Sequence, residues 1–273
     1  MGAFVVLFAA GSGCSVLTNL DGLSGSETDA GSPGKTDGSG IDSDAMVSTD
    51  GGADSGGDAD AAKKYAFTDD FNRADTVGGI GNGWNEKAIG LRLNGGEAER
   101  FSSGNADYRD AIASRPATET AGDVEVSVEF RFKVAGGGYA QVHARVQTAT
   151  LATPGSLDSY ILFRNLNVTD DKTFTIARQR GADIFTTLTE FACSAVINTT
   201  NHYRMRLRVT GSSPVKLEAF VERKDDAMWT LIGSATFSDS DANRIGNPGV
   251  VGLSAGNDPT GAFAYDNFSV QEL

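Results

Sequence analysis

Apolar and polar residues alternate through the middle of the chain, from Val124 to Gln147. Every second residue from Val124 to Val134 is apolar, and the residues between them are polar. The alternation resumes at Tyr139, after the glycine-rich segment 135–138. A period of two is typical of strands with one buried and one solvent-facing side. We therefore predict two long strands, joined by a glycine turn into an antiparallel hairpin at the centre of the fold.

Shorter strand-like segments follow on both sides of this hairpin, separated by loops rich in Gly, Asp, Asn and Ser. No ten-residue stretch has the apolar spacing of a helix. Many short strands at near-regular intervals favour an all-β antiparallel β-sandwich. The predicted segments are 67–71, 90–94, 97–101, 108–113, 160–164, 173–180, 184–190, 203–210, 215–223, 229–237, 250–255 and 263–271.

The first 64 residues have a different composition from the rest. They contain 13 of the 34 glycines, no Tyr or Trp, and 10 acidic residues against 3 basic ones. Such a segment has too little apolar surface to offset the entropy lost on ordering. We predict a disordered linker over 15–64 and one folded domain over 65–273, which is long enough to bury a sizeable core.

The chain carries a formal net charge of −13. Nucleic-acid binding needs clustered Lys and Arg to contact phosphates, and here the Arg residues are dispersed along strands. The charge therefore excludes nucleic acid as a partner. The two cysteines, Cys14 and Cys193, lie in unrelated kinds of sequence, so we expect no disulfide, and Cys193 has the surroundings of a small buried residue.

An apolar run, Gly2–Ala10, opens the chain and is followed by Gly11-Ser12-Gly13-Cys14. The run is too short to cross a bilayer but suits the apolar part of a signal peptide. Small residues directly before a cysteine resemble the lipobox of bacterial lipoproteins. The resemblance implies a signal peptide over 1–14, a lipidated Cys14 and, from Ser15, delivery to the outer membrane. The alternative is an unusual N-terminus with a chance cysteine.

Motifs at the two ends of the domain resemble the concanavalin A-like lectin/glucanase jelly roll. They are Asp70-Phe71-Asn72-Arg73 with Trp84, and Tyr265-Asp266-Asn267-Phe268-Ser269-Val270. The stretch 201–211 is similar to a strand of laminin-G-like members. The resemblance implies that 65–273 forms such a jelly roll, and it implies no activity by itself.

A polar sheet face is the candidate binding surface. Alternation places several amide, imidazole and guanidinium groups on one side of the predicted hairpin, and the strand 160–164 would join them if it pairs alongside. Such groups hydrogen-bond sugar hydroxyls, and rings stack on sugar faces. The alternative is a solvated face on which Glu and Arg merely form ion pairs. The candidate ligand-binding residues are Gln141, His143, Arg145, Arg131, Tyr160 and Arg164.

Two enzymatic readings of this face have weaker support. Gln141-Val142-His143 resembles a motif of jelly-roll polysaccharide lyases, in which Gln and His act on a uronate, but the accompanying motifs are absent. Glycoside hydrolysis needs two carboxylates about 5–10 Å apart. Glu125 and Glu129 share a face but lie about 13 Å apart along one strand. No catalytic residue is therefore assigned.

The resemblance also implies a structural calcium ion between the first and last strands of the domain. Asp70 and Asp266 lie in the two end motifs and would each offer a carboxylate oxygen, with backbone carbonyls and waters completing the shell. The alternative is that Asp70 caps a turn and Asp266 pairs with an Arg.

These observations predict a non-catalytic, surface-anchored module that binds carbohydrate or another surface polymer. A polysaccharide-degrading enzyme on the same fold and a structural or adhesive surface lipoprotein are the alternatives. We expect a monomer at the bacterial outer membrane or cell surface, held to the membrane through its lipid anchor only.

The anchor is testable through Cys14. A stable anchor needs more than one acyl chain, since a single chain holds only marginally. Cys14→Ala should therefore move the protein from the membrane fraction to the soluble fraction on cell fractionation. Cys193→Ala is the matched control and should leave the distribution unchanged. Membrane association of Cys14→Ala at the wild-type level would contradict the prediction.

Overall fold

Fifteen strands and one short helix make up the described part of the chain. The computed structural model describes residues 64–88, 90–101, 108–135, 138–164, 173–254 and 260–273, which all belong to the unit Asp58–Leu273. The predicted signal peptide, Cys14 and nearly all of the predicted linker lie outside these residues. Within the described ranges, no helix is long and apolar enough to cross a membrane.

The elements follow one another with short connections. They are β1 (Ala66–Asp69), β2 (Asn85–Glu86), β3 (Leu91–Asn94), β4 (Glu97–Arg100), β5 (Ile112–Ser114), β6 (Val124–Phe132), β7 (Gln141–Val146), α1 (Thr148–Leu151), β8 (Ser159–Arg164), β9 (Thr173–Arg180), β10 (Ile184–Ala192), β11 (Tyr203–Thr210), β12 (Val215–Asp225), β13 (Met228–Asp239), β14 (Val250–Ser254) and β15 (Phe263–Glu272).

The strands form two antiparallel sheets packed face to face. The eight-stranded sheet has the order β13-β12-β11-β6-β15-β4-β3, with β1 paired to β15. The seven-stranded sheet has the order β10-β9-β8-β7-β14-β5-β2. The predicted all-β antiparallel sandwich is confirmed, and its architecture is the one that the resemblance to concanavalin A-like jelly rolls implied.

The alternation in β6 produces the predicted half-buried strand. Its apolar residues, from Val124 to Phe132, are at most 1% exposed and lie in the core between the sheets. Its polar residues lie on the outer face of the eight-stranded sheet. β6 pairs with β11 on one side and β15 on the other, which places it at the centre of that sheet.

The predicted hairpin between β6 and β7 is wrong. β7 pairs with β8 and β14 in the other sheet, so the chain crosses from one sheet to the other after β6. β6 and β7 are both amphipathic. Two amphipathic strands can bury their apolar sides equally well as neighbours in one sheet or as members of two sheets that face each other. The period of two predicts each strand but carries no information about its partner.

β7 also departs from the predicted half-buried pattern. All six of its residues are buried, including the polar ones. Val142 and Ala144 face the core, while Gln141 and His143 lie on the opposite, outer face of the seven-stranded sheet. That outer face also carries an apolar cluster formed by Ile161, Phe163 and Ala177. β7 is therefore covered on both of its sides.

The terminal strands are neighbours, as predicted, because β1 pairs with β15. A β-bulge interrupts the pairing of β15 with β6 between Asp266 and Ser269. Beside the bulge, the rings of Trp84 and Phe268 pack edge to face with centroids 4.9 Å apart. Bulges bend a strand and redirect its side chains, and this one lies at the edge of a cleft.

The buried carboxylate of Asp69 ties the segment after β1 together. It accepts hydrogen bonds from the backbone N–H of Phe71, from Arg73 at 2.6 and 3.1 Å, from Asn82 at 3.1 Å and from Nε1 of Trp84 at 2.8 Å. Burial alone would raise the pKa of Asp69, but these donors hold it below its usual range.

Asp69→Asn should destabilise the domain. The substitution removes the charge and leaves the guanidinium of Arg73 without its buried partner, which we expect to cost about 2 kcal/mol because Arg73 is partly exposed. A domain of this size should then melt roughly 4–8 °C lower. Asp70→Asn is the control, since Asp70 is exposed and accepts one hydrogen bond from the Asn72 N–H. Equal melting temperatures for Asp69→Asn and wild type would contradict this role.

Candidate functional site

Gln141 and His143 are brought together, but in a buried chain of hydrogen bonds. Nδ1 of His143 lies 3.1 Å from the Ser159 hydroxyl, and Nε2 lies 2.9 Å from the Ser254 hydroxyl. Ser254 in turn donates to Oε1 of Gln141 at 2.8 Å. Complete burial lowers the pKa of His143 to about 3. Since both ring nitrogens are engaged, the geometry offers no support for the lyase reading.

Three more of the predicted binding residues are buried, and each makes its own set of contacts: Arg145, Tyr160 and Arg164. Arg145 donates to the carbonyls of Gly122, Gly211 and Ile245 at 2.7–3.0 Å, so it holds three connecting segments together. The Arg164 guanidinium lies 4.7 Å from the centre of a core phenylalanine ring. These contacts stabilise the sandwich, and they do not place the three side chains on a common open face.

Tyr160 belongs to a polar network between the two sheets. β8 does pair with β7, as predicted, but the Tyr160 ring points into the core. Its hydroxyl donates to Asp239 at 2.8 Å and accepts the N–H of Ile245. Arg178 also binds Asp239, at 2.7 and 2.8 Å. This buried charge pair joins β9 to β13 across the sandwich.

Arg131 lies on the outer face of the eight-stranded sheet, away from the other predicted residues. The expected common binding face is therefore wrong, because β6 and β7 belong to different sheets. Instead, ion pairs cover the outer face around β6, β11 and β12. This is the alternative given above, a solvated face on which Glu and Arg form ion pairs. The pairs, between 2.6 and 3.3 Å, are Arg131–Glu97, Lys133–Glu99, Arg204–Glu222, Arg206–Glu125 and Arg208–Glu125.

A strip of aromatic rings crosses the outer face of the seven-stranded sheet. The centroids of Tyr139 and Phe163 lie 6.4 Å apart, and those of Phe163 and Phe185 lie 6.0 Å apart. Phe185 is 47% exposed, whereas Phe163 is only 7% exposed. The strip therefore has an exposed ring, Phe185, and a partly exposed ring, Tyr139, with the buried Phe163 between them.

A cleft lies where β1, the β15 bulge, β6 and β11 meet. It has a volume of about 730 Å³. Its charged lining includes Asp69, Asp70, Arg73, Glu129 and Arg204. Phe268 also borders the cleft, but it is 1% exposed and its ring packs in the core against Trp84. Its neutral polar lining consists of Thr68, Asn72, Asn82, Ser127, Asn267 and Ser269.

Most of the neutral polar groups in this cleft are not used by the fold. Within the described part of the protein, the side chains of Thr68, Asn72, Ser127, Asn267 and Ser269 make no hydrogen bond. Ser127 is the clearest case, because it is only 7% exposed and nevertheless presents its hydroxyl to the cleft. Thr68, Asn72 and Asn267 are exposed and Ser269 is partly exposed, so these donors and acceptors can exchange solvent for a bound molecule.

The backbone around the cleft has uncommon conformations. Five non-glycine residues of the described ranges have a positive φ, and three of them lie here: Phe71 (53°), Asn82 (51°) and Asn267 (46°). Asn tolerates this region better than most residues, whereas a bulky residue such as Phe71 rarely adopts it. Such conformations cluster at binding sites, and here they orient Asn82 and Asn267 toward the cleft.

Asp266 and Glu129 face each other directly across β15 and β6, so two carboxylates meet at the cleft edge. Burial raises the pKa of Asp266, and the nearby carboxylates of Glu129, Glu97 and Asp70 raise it further. Asp70 makes one hydrogen bond, to the backbone N–H of Asn72, and has no cationic partner in the described structure.

The predicted calcium ligands, Asp70 and Asp266, are therefore close enough to interact electrostatically. Asp70 caps a turn through Asn72, as the alternative proposed, and Asp266 accepts the N–H of Asn267 at 2.8 Å. Among the described residues, no three His, Cys, Asp or Glu side chains are arranged to hold a metal ion. Calcium at this position stays a prediction.

The sequence predicts a site at one edge of the cleft, and it gives no signal for most residues on the other sides. The sequence predicts a metal-binding role for Asp70 and Asp266, and it predicts no role for Ser127, Arg204 or Asn267. The Asn267 signal was available, because Asp-Asn before an apolar residue is a natural bulge sequence. Ser127 and Arg204 join the cleft only through strand pairing.

His143 makes the stability of the domain depend on pH. The unfolded imidazole takes up a proton below about pH 6.5, whereas the folded one remains neutral until about pH 3. Stability from this group is complete above pH 6.5 and decreases on acidification, by about 2 kcal/mol at pH 5. His143→Gln should lack this dependence, so the wild-type and variant unfolding free energies should converge as the pH falls from 7 to 5 in urea titrations. Parallel curves would contradict the assignment.

No model of a known protein family matches this chain, and no curated protein matches it significantly. Among solved structures, carbohydrate-binding module CBM66 from Bacillus subtilis is 13% identical, with a TM-score of 0.43 over 70% of this chain and 92% of that chain. A legume lectin-like domain from Entamoeba histolytica is 13% identical, with a TM-score of 0.45 over 67% and 87%.

A xylan β-1,4-xylosidase from Bacillus halodurans C-125 is 14% identical, with a TM-score of 0.48 over 75% of this chain and only 39% of the enzyme. At such identities and TM-scores, the likeness concerns overall fold alone. The chain is similar in fold to carbohydrate-binding modules, lectin-like domains and a part of a glycosidase, and its ligand must be inferred from its own residues.

Proposed function

We propose that this protein is a non-catalytic carbohydrate-binding module whose site is the cleft between β1, the β15 bulge, β6 and β11. The observation that carries the proposal is the set of unengaged amide and hydroxyl side chains in a concave site. A ligand that matches them must offer many donors and acceptors at short intervals, which is the chemistry of a saccharide.

The size of the cleft suits this ligand. Small-molecule sites usually have volumes of about 300–1,000 Å³, and the 730 Å³ cleft lies within this range. Asn72 and Asn267 each supply a donor and an acceptor, and the hydroxyls of Thr68, Ser127 and Ser269 supply both in one group.

A second candidate function is glycoside hydrolysis in the same cleft. The facing carboxylates of Glu129 and Asp266 favour it, because hydrolases pair a protonated acid with an ionised carboxylate. The raised pKa of Asp266 fits the role of the acid. The binding role is the one we propose, because its groups line the cleft directly, whereas Asp266 lies at its edge.

The surroundings of the module belong to the same proposal. Lipidation of Cys14 would display the domain at the bacterial outer membrane or cell surface, on a linker formed by residues 15–64. A structural calcium ion at Asp70 and Asp266 would join the terminal strands and would compete for these carboxylates with any cationic group of a ligand. Both features rest on resemblance at the sequence level, and neither is required for the cleft to bind a saccharide.

The proposal predicts that a cleft variant loses saccharide binding without losing its fold. Asn267→Gly with Ser127→Ala and Asn72→Ala removes three polar groups, and Gly keeps the positive φ at position 267. At about 0.5–1.5 kcal/mol for each lost hydrogen bond, affinity should fall at least tenfold. Isothermal titration with the best ligand from a panel of soluble oligosaccharides measures this.

Phe185→Ala is the matched control on the opposite sheet and should leave affinity unchanged. Loss of binding in Phe185→Ala with retention in the cleft variant would move the site to the aromatic strip and contradict the proposal. Release of reducing ends from the bound oligosaccharide, abolished by Asp266→Asn, would favour the hydrolase instead.

A further inference from the structure

We infer that the cleft selects saccharides that carry an ammonium group over neutral ones, and that it rejects saccharides with carboxylate or sulfate groups. This inference names the ligand class of the cleft and therefore rests on the proposed function. It follows from the way charges are paired around the cleft compared with the rest of the same sheet face.

The two cations that line the cleft are already neutralised. Arg73 binds both oxygens of the buried Asp69 and the carbonyl of Ile80. Arg204 donates to Glu222 at 2.6 Å, and its guanidinium lies 4.6 Å from the centre of the Trp229 ring. Neither guanidinium is therefore left to attract an anionic ligand.

The carboxylates at the cleft are not neutralised to the same degree. Within the described residues, Asp70 and Asp266 have no salt bridge, and Glu129 has only a long one, 3.9 Å from Nζ of Lys224. Arg131 interacts electrostatically with Asp266, but both oxygens of Glu97 already bind its guanidinium. The mutual repulsion of these carboxylates contributes to the raised pKa of Asp266. Unpaired like charges at the rim of a concave site produce a negative potential inside it.

The contrast with Glu125 shows that this arrangement is particular to the cleft. Glu125 and Glu129 both lie on the outer side of β6, and each faces an arginine of β11 in register, Arg208 and Arg204. Arg208 binds its partner Glu125 at 2.7 Å. Arg204 turns away to Glu222 and Trp229, so Glu129 remains available beside the cleft.

The cleft contains more than a group of acidic residues. Ser127 is 93% buried, its hydroxyl faces the cleft, and it has no partner in the described structure. A hydroxyl in that position points to a neutral donor or acceptor on the ligand. Together with the carboxylates, it describes a ligand with both hydroxyl and ammonium groups, as in a deacetylated amino sugar.

The test compares three oligosaccharides of equal length: β-1,4-linked glucosamine, its N-acetylated counterpart and α-1,4-linked galacturonate. Titrations are done in EDTA at pH 6 and low ionic strength, so that no calcium ion neutralises the carboxylates. The glucosamine oligomer should bind roughly tenfold more tightly than the N-acetylated one, and galacturonate should not bind. The preference should shrink in 0.5 M salt, which screens charges at the surface.

The double variant Asp70→Asn, Asp266→Asn should bind the glucosamine and N-acetylated oligomers with equal affinity and so lose the preference. Asp183→Asn, which changes an exposed carboxylate in the turn between β9 and β10, is the matched control and should change nothing. Equal affinities for the first two oligomers in the wild type, or tighter binding of galacturonate, would overturn the inference while leaving saccharide binding intact. Absence of binding to all three, and to every member of the wider oligosaccharide panel, would overturn the proposed function itself.

Discussion

The carboxylate of Asp69 is the constraint on which the cleft end of the domain depends. A buried charge is costly unless it is paired and hydrogen-bonded, and here five donor contacts from four residues converge on it. To supply them, the chain after β1 must curl back so that Arg73, Asn82 and Trp84 reach one point. The left-handed conformations of Phe71 and Asn82 are part of that curl.

The same constraint positions the rest of the site. With its indole N–H bound to Asp69, Trp84 packs against Phe268 of β15, and Phe268 follows the bulge residue Asn267. The first and last strands are thus connected through one carboxylate and one pair of rings. The cleft lies directly above this connection, so its rim is built from both ends of the domain, and distant segments of sequence form a single concave surface.

The sequence predicts the strands far better than their partners. β9 and β11 have the bounds that the alternation indicates, because a period of two directly reports a pleated strand with unequal faces. Pairing is different, since the register and the neighbour depend on the whole sheet. The alternation predicts that the polar face of β7 meets solvent, but the apolar residues of β8, which pairs with β7, and of β9 beyond it require a covered face. Local alternation cannot report what lies on top of a strand.

The same limit applies to the residues of the site, because the sequence identifies individual side chains better than it identifies their partners. Asp70 and Asp266 could be placed near each other from sequence, since terminal strands of a sandwich are commonly adjacent. From the sequence, Glu129 is only one of the two outward carboxylates on β6. Its role depends on where the Arg204 side chain goes, and that depends on Trp229, two strands away.

Arg204 shows that the charge distribution on this surface depends on which charged groups bind each other, and not only on how many there are. Its β11 neighbours Arg206 and Arg208 bind the carboxylate of Glu125, and in that region the sheet face is electrically balanced. Arg204 has a carboxylate in register as well, but the Trp229 ring and Glu222 hold it on the opposite side. Because a cation gains more from a ring and a carboxylate together than from a carboxylate alone, Glu129 is left with a distant lysine. The unbalanced charge lies where the fold also leaves amides and hydroxyls without partners, and the coincidence of the two in one cleft is what gives this face the properties of a binding site.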